Sequence, residues 1–217
     1  MPRRSSVSRG HAVRQRTWFG FAAAVLAGCA TMVATDDEYR NRAIALMQSS
    51  FTSRGQASLD RLEQDDVQRT CSQYAGNAPP TDVAERVQKA QLATVTYPAD
   101  GKLLGDWRVG EKIAQQGVGL QFSDPPGSPA GGNCYACHQL SAAEISYGTI
   151  GPSLYRFGKT RGYTDETRKY VYAKVFNAQA FNACSNMPRF GYKGILTEQQ
   201  IKDVTALLLD PDSPVNR

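Results

Sequence analysis

From residue 106 onward the chain alternates stretches of helical periodicity with loops rich in glycine and proline. DWRVGEKIAQQG, residues 106–117, sets Trp107, Gly110, Ile113 and Ala114 on one stripe and stops at Gly117, the spacing of a helix that buries one face. QFSDPPGSPAGGN, residues 121–133, is predicted to be loop, because proline and glycine dominate it. A further helix is predicted from Thr164, with Asp165 and Glu166 in its first turn, carrying Tyr170, Val171, Lys174 and Val175 to about Ala180. Thr197-Glu-Gln-Gln200 is a capping-box pattern and opens a last helix that presents Ile201, Val204, Leu207 and Leu208. Upstream, residues 36–51, 58–74 and 81–95 each suit a helix, separated by Gly55 and by Asn77-Ala-Pro-Pro80. In the first of these, Met47 falls in a pattern with Ile44 and Phe51 and is expected to fill a core. No long alternating run suggests a strand, so the predicted fold class is all-α.

Residues 1–28 stand apart as an export signal. Arg3, Arg4, Arg9, Arg14 and Arg16 precede any acidic residue, and TWFGFAAAVLAG then runs uncharged to Cys29. A basic stretch followed by a short apolar one is too short and wrongly flanked for a permanent membrane span. Leu26-Ala27-Gly28-Cys29 resembles the lipobox of bacterial lipoproteins, in which the cysteine is acylated and becomes the first mature residue; cleavage after Ala30 or Ala34 is the alternative. Either way the chain is expected to be exported, periplasmic and, with a lipidated Cys29, membrane-anchored. The net charge of +5, 25 basic against 20 acidic residues, resides in those five arginines. Without them the charges balance, so nucleic acid is not an expected partner.

The chemistry of the chain gathers in GGNCYACHQL, residues 131–140. Cys134-x-x-Cys137-His138 is the spacing that covalent haem attachment needs: two thiols one turn apart add to the vinyl groups of one porphyrin edge, and the next imidazole reaches the iron. The rivals are a zinc site completed by Cys71 or Cys184, and a redox-active CxxC. Zinc modules pair two half-sites and thioredoxin-type motifs need a βαβ context, and neither pattern is present. One covalently attached haem c is therefore expected, with His138 as an iron ligand.

The remaining residues are assigned in turn. His11 lies in the leader, so a second histidine ligand is excluded within the exported chain. Met187, in NACSNMPRFGYKG, is held out of helix by Pro188 and is the expected second iron ligand. The alternatives are a structural loop methionine with the position filled by a partner's residue, and a thiolate from Cys184. Pro152, about fourteen residues after His138 in a Gly-Pro pair, stands where small monohaem cytochromes c, which this stretch resembles, place the carbonyl that accepts the imidazole's other N–H; a plain turn is the alternative. Cys71 and Cys184 are the thiols left over and, in an oxidising compartment, are expected to form a disulfide.

A helix, a CxxCH, a Gly-Pro loop, a Met-Pro loop and a C-terminal helix, in that order, look like a class I cytochrome c domain. Within that class, GGNCYACHQL, GTIGPSLYRFGKTRGY and above all NMPRFGYKGILTEQQIKDV resemble the SoxX subunits of the SoxAX complex of bacterial thiosulfate oxidation. The resemblance implies a heterodimer with a SoxA-type cytochrome, on which the catalytic cysteine of an L-cysteine S-thiosulfotransferase would lie. This chain would pass the released electrons to a downstream acceptor and carry no catalytic residue itself. A free-standing electron shuttle is the alternative, and a haem enzyme or gas sensor with an open sixth site is a third reading. The expected domains are the signal at 1–28, a helical N-terminal extension at 29–99, the cytochrome c domain at 100–210 and a tail at 211–217.

Overall fold

A computed structural model describes residues 35–74 and 76–217. The export signal, Cys29 and His11 lie outside the described residues. Those that are described form helices and connecting loops without a strand, with one isolated bridge between Arg54 and Ala57. Seven α-helices follow one another: α1 Asp36–Ser50, α2 Asp66–Ser72, α3 Thr81–Leu92, α4 Trp107–Gln115, α5 Phe157–Arg161, α6 Asp165–Phe176 and α7 Glu198–Leu209. Leu46–Arg217 form one compact unit.

The core of that unit is built where α4 crosses α7. Ile113 and Ala114 of α4 are buried against a face of α7 that contributes Ile201, Val204, Leu207 and Leu208. Gly110 permits the close approach: a Cβ there would lie 2.1 Å from the carbonyl oxygen of Asp203. Asp203 Oδ1 accepts the backbone N–H of Asp106 at 2.9 Å and so ties the start of α4 to α7. The predicted Thr197–Gln200 capping box opens α7. Val171, Tyr172 and Val175 of α6 complete the core, each large buried side chain contributing about 1.5–3 kcal/mol. The α-helix begun at Thr164 ends at Phe176 rather than near Ala180, and a separate 3-10 turn covers Ala178–Ala180. Asn177 breaks it: its side chain caps that turn by accepting the Gln179 N–H.

Three expectations change. Ile44, Met47 and Phe51 are exposed and none of α1 is buried; helical spacing makes a face, but burial requires a second face against it. The stretch 58–74 is two pieces, a 3-10 turn at Leu59–Leu62 and α2, because Asp65 takes the Gln68 N–H as an N-cap and starts a new helix. Residues 211–217 do not trail away from the domain. Ser213, Val215 and Asn216 are fully buried, and Asn216 bonds the carbonyls of Leu208 and Asp210 and the Gly158 N–H.

Within Leu46–Arg217, the part of the extension from Gln56 to Thr94 packs on the cytochrome domain. α3 lies against the 3-10 turn at Ala178–Ala180, and buried Asn177 donates to Gln91 Oε1 and Thr94 Oγ1, both at 3.0 Å. Gln56 and Arg61 donate to carbonyls of the 119–124 loop that leads toward the cysteine pair.

Candidate haem-binding site

The attachment motif hangs from α4. Gly132 N–H donates to the Ile113 carbonyl and Asn133 N–H to the Gln116 carbonyl, both at 2.8 Å. Asn133 then turns the chain with φ 45°, and Cys134–Ala136 form a single 3-10 turn. The N–H groups of Cys137 and His138 both bond the Cys134 carbonyl, at 3.0 and 2.9 Å. These bonds put both thiols and the imidazole on one tight turn.

His138 is oriented from its other side. Nδ1 lies 2.7 Å from the Pro152 carbonyl oxygen. A carbonyl only accepts, so Nδ1 carries a proton, which makes Nε2 the nitrogen that could offer a lone pair to a metal. Gly151 makes this possible: a Cβ there would stand 2.2 Å from His138 Cε1 and 2.5 Å from Nδ1. Its own N–H is bonded to the Cys137 carbonyl at 2.9 Å.

A cavity of about 860 Å³ opens beside this turn, and Cys134, Cys137, His138, Pro152 and Met187 all line it. Its size falls within the range of roughly 300–1,000 Å³ usual for small-molecule and cofactor sites. Val171, Val175, Phe190 and Leu208 make an apolar wall. Met187 packs with the cluster of Ile113, Tyr172, Val175 and Phe190, and its N–H donates to Ser185 Oγ at 3.2 Å. Burial pushes the Cys134 thiol up to about 12.

Cys71 and Cys184 are joined in a disulfide, with Cα atoms 5.4 Å apart. That bond removes both from any zinc site with the CxxC pair, and removes Cys184 as a thiolate competitor of Met187. Among the described residues no three of the His, Cys, Asp and Glu side chains are grouped to hold a metal ion. An imidazole, two cysteine sulfurs, a thioether and an apolar wall in one cavity are the donor set that covalent haem requires, and not that of a four-ligand zinc site.

Two cations on the cavity wall were not singled out from the sequence. Arg161, over the rings of Phe157 and Tyr170, and Lys174, which donates to the Ala178 carbonyl at 3.2 Å, both line it. They could pair with a porphyrin's carboxylates. Burial lowers the Lys174 ammonium below its ordinary value. Neither carries a motif; the signal available was only a basic residue beside an aromatic-rich helix. Cys29, the candidate lipidation site, is outside the described residues, and no helix among them is long and apolar enough to cross a membrane.

Residues 128–210 match the family model described as Cytochrome c. An uncharacterized lipoprotein of Aquifex aeolicus (strain VF5) is 41% identical over 159 residues, covering 71% of this chain and 73% of the relative.

Proposed function

Because this chain carries a cytochrome c domain at residues 128–210, with a helical class I fold and a family that implies a covalently bound haem c, we propose that it is an exported monohaem electron-transfer protein, the SoxX-type subunit of a SoxAX-like complex. The observation that carries the electron-transfer reading is the cavity that Cys134, Cys137, His138 and Met187 line together. When bound, haem supplies one-electron cycling of its iron. The rest is the work of side chains. Cys134 and Cys137 anchor the porphyrin covalently, and the Pro152 carbonyl holds His138 in the tautomer that offers Nε2. Met187 presents a soft thioether, which favours ferrous iron and raises the potential. If His138 and Met187 were both to ligate the iron, no position would be left for substrate, which would suit an outlet for electrons and not the seat of chemistry. The catalytic cysteine of thiosulfate conjugation then belongs on the SoxA-type partner.

Export and anchoring are supported by the lipobox-like Leu26-Ala27-Gly28-Cys29 and by the description of the Aquifex relative as a lipoprotein. Acylated Cys29 would tether the complex to the periplasmic face of a membrane. The test is a tagged pull-down of the mature, haem-loaded protein from the envelope of its own thiosulfate-grown host. A near-stoichiometric second c-type cytochrome bearing a reactive cysteine is the expected result. Recovery of this protein alone would overturn the SoxAX assignment in favour of a free-standing shuttle. A ferric spectrum unchanged in Met187→Gly would refute the methionine ligand.

A further inference from the structure

The N-terminal extension grips the Met187 segment at both ends. Three residues before the methionine, Cys184 is bonded to Cys71 of α2. Two residues after it, Arg189 is buried, its side chain 5% exposed, and reaches back to the extension with both arms of its guanidinium. Nη2 pairs with Asp65 Oδ2 at 2.5 Å, and Nη1 donates to Gln91 Oε1 of α3 at 3.2 Å. Lys193 Nζ lies 2.8 Å from the same Asp65 oxygen. Asp65 thus does two jobs with two oxygens, since Oδ1 accepts the Gln68 N–H that starts α2.

A loop methionine is a useful ligand only in so far as the loop keeps it in place. Fixing both ends of a short segment removes conformations in which the thioether leaves the cavity, and lowers the entropy lost when it stays. A guanidinium forked between a carboxylate and an amide fixes direction as well as distance, which a lysine would not do. Resting on the reading of Met187 as the second iron ligand, we propose that Asp65, Arg189 and the Cys71–Cys184 disulfide are positioning residues, and that the extension is a clamp holding the methionine in the haem cavity against displacement by outside ligands. The extension is then part of the haem site.

An outside ligand that competes with Met187 reads the clamp directly, because its apparent affinity scales with the fraction of molecules whose methionine has swung away. The experiment is an optical titration of the ferric, haem-loaded full chain with imidazole. Asp65→Asn keeps an oxygen for the Gln68 N–H, since asparagine is as good an N-cap, but leaves Arg189 buried without its counter-charge. Imidazole should bind this variant, and Cys71→Ser/Cys184→Ser, at least about tenfold more tightly than wild type. Asp66→Asn, at an exposed neighbouring carboxylate, should match wild type. Met187→Ala sets the upper limit. If Met187→Ala binds tightly while both clamp variants bind as weakly as wild type, the clamp is overturned and the ligand assignment stands. If Met187→Ala itself binds like wild type, the ligand assignment fails. Should Asp65→Asn fail to load haem, the disulfide variant decides alone: tenfold tightening supports the clamp and no change sinks it.

Discussion

Removing the Cys71–Cys184 bond by the double serine substitution should destabilise the protein chiefly through its unfolded state. The two cysteines are 113 residues apart, and closing a loop of that length lowers the unfolded chain's entropy by an amount worth about 5 kcal/mol at 25 °C. In the folded state losing the bond releases the Cys184 end of the Met187 segment, but α3 and Asp65 stay docked through the Asp65–Arg189 pair and the hydrogen bonds among Gln91, Thr94 and Asn177. The expected loss is therefore about 3–5 kcal/mol, a large share of the ~5–15 kcal/mol that a whole domain commands. Guanidinium unfolding of the haem-loaded proteins, followed by far-UV circular dichroism, measures it. The midpoint should fall and the denaturant slope should rise, since an uncrosslinked unfolded chain exposes more surface. A loss under about 1 kcal/mol with an unchanged slope would refute the unfolded-state account. So would selective proteolysis of residues 51–95 in the variant under native conditions, which would show that the bond alone keeps the extension docked.

Three shorter predictions follow from the same geometry. Gly110→Ala would set a methyl 2.1 Å from the Asp203 carbonyl oxygen and force α4 away from α7, so thermal unfolding should show a loss of about 1–3 kcal/mol or more; wild-type stability would disprove the close crossing. Gly151→Ala would drive a methyl into the His138 ring at 2.2 Å, and the haem-loaded yield and thermal stability should both drop, whereas an unchanged yield and melting temperature would show that the ring has room to move. The Asp65 carboxyl is held well below the usual carboxylate range: burial alone would raise it, but hydrogen bonds from Lys193, the Gln68 N–H and Arg189, with the Arg189 charge, outweigh that. A depressed folded-state value stabilises the protein above the unfolded carboxylate's value and loses that contribution as pH falls toward the folded one. Asp65→Asn should thus cost most at neutral pH, with the gap to wild type closing below about pH 4; a gap independent of pH in denaturation curves would count against the charge pair.

What could be read from the sequence, and what could not, divides along the range of the interactions involved. α4 and α7 were legible because stripe, cap and terminator lie within a dozen residues: Trp107 to Ala114 before Gly117, and Thr197 with Gln200 before Ile201. The same local logic misjudged α1. Ile44, Met47 and Phe51 satisfy helical spacing, yet spacing says nothing of whether another surface covers the face, and these side chains are exposed. Asp65 misled in the opposite sense, since an aspartate inside an apparently continuous pattern is a fair helix-surface residue until its side chain caps a new start.

The haem site shows the same division at longer range. Cys134, Cys137 and His138 lie within five consecutive residues, so their joint chemistry is visible at a glance, and Pro152 was legible through the likeness to small monohaem cytochromes c. The disulfide spans 113 residues and became legible only because cysteines are few and their chemistry exclusive: two assigned to haem and one to lipid or the discarded leader leave two. The Asp65–Arg189 pair spans a similar distance, but aspartates and arginines are many, and no arithmetic selects these two. That asymmetry explains why the extension reads from sequence as an appendage with one staple. Once the buried guanidinium is seen between Asp65 and Gln91, the covalent and ionic links fall on opposite sides of Met187, and a segment that carries no ligand of its own becomes the part that determines how firmly the ligand is held.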